Sequence, residues 1–140
     1  MVAEILRRAV LVTLRNVGTH GCTLKGYPGL VLIGRGGKLL PTRVHAATTG
    51  DYMFPAIAPH TVALAPGEVA SFEIGYADNP SGPGVNEPYE VACPPSVAVR
   101  VILPNTTQFG TARVAMGVCE GRVNVSPIVP GATGLQFVVT

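Results

Sequence analysis

Apolar residues in this chain alternate with polar ones over short stretches, and Gly or Pro interrupts the pattern about every ten residues. No uninterrupted helical period survives between the breaks. Val10, Val12 and Leu14 share one side of a predicted strand over Ala9 to Arg15. Leu30 to Ile33 leads through Gly34-Arg35-Gly36-Gly37 into Lys38 to Leu40, a hairpin pattern, because glycines can take the positive φ of such a loop. Arg43 to Ala46 shows part of the same pattern. His60 to Leu64 alternates and meets Ala65-Pro66-Gly67-Glu68, which reads as a type II turn with Pro second and Gly third. Val69 to Tyr76 then sets Phe72, Ile74 and Tyr76 against Ser71, Glu73 and Gly75. Ala77 to Pro88 reads as a polar Pro/Gly loop. Val97 to Leu103 follows, with Val97, Val99 and Val101 expected on one face and Ala98, Arg100 and Ile102 on the other. Asn105-Thr106-Thr107 reads as a turn, and Ala112 to Val118, Arg122 to Ser126 and Gln136 to Thr140 complete the strands. About seven to nine short strands with regular turn signals predict an all-β sandwich, with a barrel as the second choice. Residues 1–140 form a single expected domain, with no internal repeat and no boundary signal.

Composition narrows the classes. Charged residues make up 13% and hydrophobic residues 47%, which excludes a disordered tail. A chain of 140 residues buries roughly 70% of its unfolded surface, so neither metal nor staple is needed merely to fold. The net charge of +2 comes with no dense basic run, so no nucleic-acid partner is expected. No apolar stretch approaches the ~20 residues that span a bilayer. Arg7-Arg8 before Ala9 to Leu14 has the start of a secretion signal but neither its apolar length nor its cleavage pattern, so an exported form would take its signal from outside this chain.

Candidate chemistry is sparse. His20, His45 and His60 are scattered and lack metal-ligand spacing, and no serine sits in a Gly-x-Ser-x-Gly elbow. Gly34-Arg35-Gly36-Gly37 is followed by no helix and no Lys-Ser/Thr, so it is a turn and not a phosphate cradle. No cofactor and no catalytic residue is expected. Tyr27, on a Gly-Tyr-Pro-Gly turn, is either an exposed contact tip or a ring packed over the sandwich edge. Tyr52, Met53 and Phe54 are three adjacent bulky residues in a loop, either a contact patch or a plug under the sandwich. The three cysteines have no CxxC spacing. A bridge between Cys93 and Cys119, closing a loop worth roughly 3–4 kcal/mol, and three buried thiols in a reducing compartment are both open on this pattern.

Four stretches share a further likeness. Asn16-Val17-Gly18 precedes Cys22-Thr23-Leu24-Lys25-Gly26-Tyr27-Pro28-Gly29; Leu64-Ala65-Pro66-Gly67 precedes Ala70 and Phe72; and Cys93 precedes the strand into Leu103-Pro104. Cys119-Glu120-Gly121-Arg122-Val123-Asn124-Val125-Ser126-Pro127 comes before Pro130-Gly131. Together, over about residues 9 to 131, they resemble an exported actinobacterial family of unknown function with a C-x-L-x-G-Y-P-G motif. The resemblance implies an immunoglobulin-like antiparallel sandwich outside the membrane, often a lipoprotein or otherwise tethered, with no enzyme activity. It also implies a Cys93–Cys119 bridge with Cys22 as the unpaired thiol, since the upstream cysteine usual in the family is missing; Cys22–Cys93 and Cys22–Cys119 remain alternatives. The expected function is therefore a non-catalytic exported module of the cell envelope that binds a ligand or envelope partner or serves structurally. A small metal-dependent or hydrolytic enzyme using His45 or His60 is the alternative.

Overall fold

A computed structural model describes residues 7–46, 58–77, 94–131 and 135–139. The described residues form eleven strands: β1 (Arg7–Asn16), β2 (Cys22–Lys25), β3 (Gly29–Ile33), β4 (Arg43–Ala46), β5 (Thr61–Leu64), β6 (Val69–Ala77), β7 (Pro95–Ile102), β8 (Phe109–Gly117), β9 (Arg122–Val125), β10 (Val129–Pro130) and β11 (Leu135–Val139). The largest sheet runs β11-β1-β6-β9-β4, with β10 also on β6; β2-β5 and β3-β7-β8 form the other two sheets. The architecture is all-β and sandwich-like. Strand pairing is mixed rather than purely antiparallel, since β11 lies parallel to β1 and β4 parallel to β9.

Alternation explains the layering, because a strand buries every second side chain. β1 and β6 pair without interruption from Arg7↔Ala77 to Arg15↔Val69. Val12 and Leu14 from β1, with Phe72, Ile74 and Tyr76 from β6, therefore enter the core together. Leu24 and Leu64 from the second sheet, and Leu30, Leu32, Val99 and Val101 from the third, join the same cluster. Burying a side chain such as Phe72 contributes about 1.5–3 kcal/mol.

Two expected elements take a different form. Lys38 to Leu40 does not become a full strand. The loop instead closes through Gly34 N–H donating to Lys38 O at 2.7 Å, Leu40 N–H donating to Leu32 O at 2.8 Å and a single Ile33↔Leu39 bridge. Pro41 follows and has no N–H with which to continue a ladder. Within β7 a register shift between Ser96 and Ala98 turns Val97 outward, 44% exposed, while Val99 and Val101 are sealed. Between the pairs Ser96↔Met116 and Ala98↔Arg113, β8 advances three residues against two in β7, and this bulge on β8 breaks the match between the two strands' alternation. The Ala65–Glu68 turn forms as expected, with Gly67 at φ +86° and Glu68 N–H donating to Ala65 O at 3.0 Å.

Candidate functional site

The motif residues act first on the fold. Asn16 is 1% exposed, yet its polar atoms are matched: Nδ2 donates to His20 O and Leu64 O, each at 2.9 Å, and Oδ1 accepts from Gly18 N–H at 2.8 Å. Its backbone N–H donates to Glu68 O at 3.0 Å and its carbonyl accepts from Gly67 N–H at 2.7 Å. Asn16-Val17-Gly18 and Leu64-Ala65-Pro66-Gly67 are thus two halves of one buried junction. Ser126 serves β6 similarly, accepting Glu73 N–H on Oγ at 2.8 Å and donating its own N–H to Glu73 O at 3.0 Å. Gly121, at φ +68°, lies against the Pro41 backbone, and a Cβ there would run into the Pro41 carbonyl oxygen. These glycine, asparagine and serine positions specify backbone geometry.

The expected contact residues are dispersed. Tyr27, between β2 and β3, is half-buried and packed against the core. Tyr52, Met53 and Phe54 lie outside the described residues, as does Cys93. Cys119 is buried in the 3-10 turn Cys119–Gly121 that leads into β9. Cys22 is a free thiol at the start of β2, opposite Leu64, and burial pushes its pKa above the ordinary thiol value. His45 stands exposed on β4 and His60 exposed just before β5, while His20 Nδ1 lies 3.1 Å from Thr19 Oγ1. Among the described residues no group of three or more His, Cys, Asp or Glu could hold a metal ion. No helix of the described residues is long and apolar enough to cross a membrane.

The most unusual surface lies on β3, β7 and β8, on the side facing away from Leu30, Leu32, Val99 and Val101. Register places its side chains in three rows: Gly29, Ile102 and Phe109; Val31, Arg100 and Thr111; Ile33, Ala98 and Arg113. Val31, Ile33 and Ile102 are half-buried, whereas Phe109 is 56% exposed. A Cβ on Gly29 would sit 3.3 Å from the Ile102 Cβ, so the glycine makes room for the isoleucine across the strands. The guanidinium of Arg100 lies over the Phe109 ring, with Cζ 4.3 Å from the centroid. That stacking is worth about 0.5–1 kcal/mol at an exposed site.

Arg100 departs from the polar economy of Asn16. Its Nε is sealed from solvent and has no hydrogen-bond partner. An unsatisfied buried donor costs about 1–3 kcal/mol. No carboxylate occurs in β3, β7 or β8, so these strands offer Arg100 no ion pair. The pairing of Arg100 with Phe109 escapes a linear reading because the two are joined only by hairpin register, Ile102 standing opposite Phe109. The visible signal is the turn at Asn105-Thr106, where Leu103 N–H donates to Gln108 O at 2.9 Å and folds β8 back on β7.

Neither a curated protein nor a solved structure matches the chain. A family model described as Domain of unknown function (DUF4232) matches residues 5–129, nearly the whole length and every motif junction described above, and the chain belongs to that family.

Proposed function

We propose that this domain is a non-catalytic, exported binding module of the cell envelope that uses the outer face of β3, β7 and β8 for contact. The observation that carries the reading is Arg100 stacked on Phe109 on the same sheet face as half-buried Val31, Ile33 and Ile102. Exposed apolar surface beside an aromatic–arginine pair is the composition of contact surfaces, where such residues are enriched. Resemblance to an exported actinobacterial family supports the location, and the same resemblance supports a Cys93–Cys119 bridge with membrane tethering of the whole protein.

A photo-crosslinking residue at Thr111, with a second at Glu68 as control, tests the contact face in the host cell. Envelope adducts formed from position 111 and absent from position 68 are the expected result; equal labelling from both, or none from 111, would sink the reading. Intact-mass analysis after alkylation in denaturant tests the bridge separately. One modified thiol before reduction and three after are expected, and three in both samples would remove it.

A further inference from the structure

The outward rows on β3, β7 and β8 have both a spacing and a charge. Successive rows are two residues apart along their strands, roughly 7 Å at a rise of about 3.4 Å per residue. An extended peptide laid along the strands repeats its downward-pointing side chains at that same interval. The first row presents Ile102 and Phe109, the second Arg100, and the third Arg113 on the neighbouring strand. Arg100 stands opposite Thr111 in the register, so Arg113 is its diagonal neighbour, at about 7–8 Å. Both arginines belong to strands that contain no Asp or Glu. The exposed 3-10 turn Arg35–Gly37, which follows β3 and packs near β7, adds a further guanidinium at the third-row end.

Resting on the binding-module reading above, we infer that this face binds an extended acidic peptide segment of a partner protein in the pattern apolar–x–acidic–x–acidic. The apolar side chain lies against Ile102 and Phe109, the first carboxylate meets the Arg100 guanidinium, and the second meets Arg113. Charge complementarity selects this occupant: two same-face arginines stand in carboxylate-free strands, and one has a sealed Nε without an acceptor. Planar guanidinium groups favour carboxylates because two parallel N–H donors match two oxygens. A carboxylate that draws Arg100 outward also supplies the acceptor its Nε lacks. Gly29 leaves Ile102 room to lie across the strands, which broadens the apolar seat.

The probe is the blocked peptide acetyl-Val-Thr-Glu-Thr-Glu-Thr-amide, titrated into 15N-labelled protein. Amide shifts are expected to gather on β3, β7 and β8, and replacing both Glu by Gln should weaken binding about tenfold or more. Arg100→Gln should lose about tenfold, Arg113→Gln about threefold and Arg122→Gln nothing measurable. Arg100→Lys, which keeps the charge but not the planar fork, should fold normally and lose most of the binding. The inference is overturned by Glu and Gln peptides that bind alike, by shifts mapping elsewhere, or by no binding to the folded protein. Concentration-dependent self-association through this face without peptide would also overturn it, by assigning the surface to a second copy. Adducts from Thr111 in cells together with charge-blind peptides would reject the acidic ligand alone; loss of those adducts would reject the binding-module reading itself.

Discussion

Asn16 and Arg100 are two polar side chains drawn into a β-sandwich, and they are treated in opposite ways. Asn16 is 1% exposed and its amide exchanges hydrogen bonds with His20, Leu64 and Gly18, so the end of β1, the end of β5 and the loop that follows β1 are held as one junction. Arg100 is half-buried, rests on one aromatic ring and leaves its Nε without an acceptor. A buried group whose partners all come from its own chain serves the fold. A group whose partners are missing is more costly to the fold and leaves bonding capacity for another molecule.

Removing the amide tests the first half of this contrast most severely. Asn16→Ala would orphan two carbonyls and one N–H, and is expected to destabilise by about 2–4 kcal/mol in chemical denaturation. A loss under about 1 kcal/mol would mean water replaces the amide and the junction is not what holds the loops. Next comes Gly67→Ala in the same junction. With nothing within 4 Å of the added Cβ, only the positive φ opposes it, so about 1 kcal/mol is expected in the same measurement.

Arg100→Met should move stability in the other direction, leaving it unchanged or raising it by up to about 1 kcal/mol, because an unsatisfied donor is replaced by an apolar chain. A large destabilisation in thermal melting would show that Arg100 is a structural residue and would dissolve the contrast. Arg122, which stands on the surface 3.4 Å from Glu120 with its side chain 64% exposed, supplies the baseline. Arg122→Gln should change stability by less than about 0.5 kcal/mol. The smallest effect expected is the pH dependence contributed by Cys22. Its folded pKa is raised, so its contribution is fully present below the ordinary thiol value and is lost as pH rises through the folded value. Cys22→Ser should flatten the alkaline end of a stability–pH curve, and an unchanged slope would remove the assignment.

How much was legible in the sequence depended on whether a strand's neighbours respect its alternation. β6 could be read in advance because β1 lies along it without a break, leaving Phe72, Ile74 and Tyr76 inward throughout. Val97 was misread because the bulge at Ser96/Ala98 is set by pairing with β8, and a strand taken alone carries no trace of it. β2 stands outside the expected strands because Cys22–Lys25 fully buries a single side chain, Leu24, and ends at Gly26, where φ is +108°. The motifs drew attention to Asn16, Gly67, Gly121 and Ser126, which turn out to hold backbone junctions. Arg100 and Phe109 belong to no motif and meet only when a hairpin closes. Chemistry that depends on register between distant residues is invisible until the register is known.

The parallel pairing of β1 with β11, from Val12↔Leu135 to Asn16↔Val139, has a mechanical consequence. Tension applied at the start of β1 and the end of β11 pulls the two strands lengthwise in opposite directions. Their backbone hydrogen bonds then share the load in shear and must fail together, whereas prising β7 and β8 apart from Pro95 and Gly117 breaks their ladder one rung at a time. Single-molecule pulling from residues 7 and 139 should therefore need a higher rupture force than opening that hairpin, and equal forces would show that the β1–β11 pair carries no load. A unit wired this way resists extension along the direction in which its strands already run.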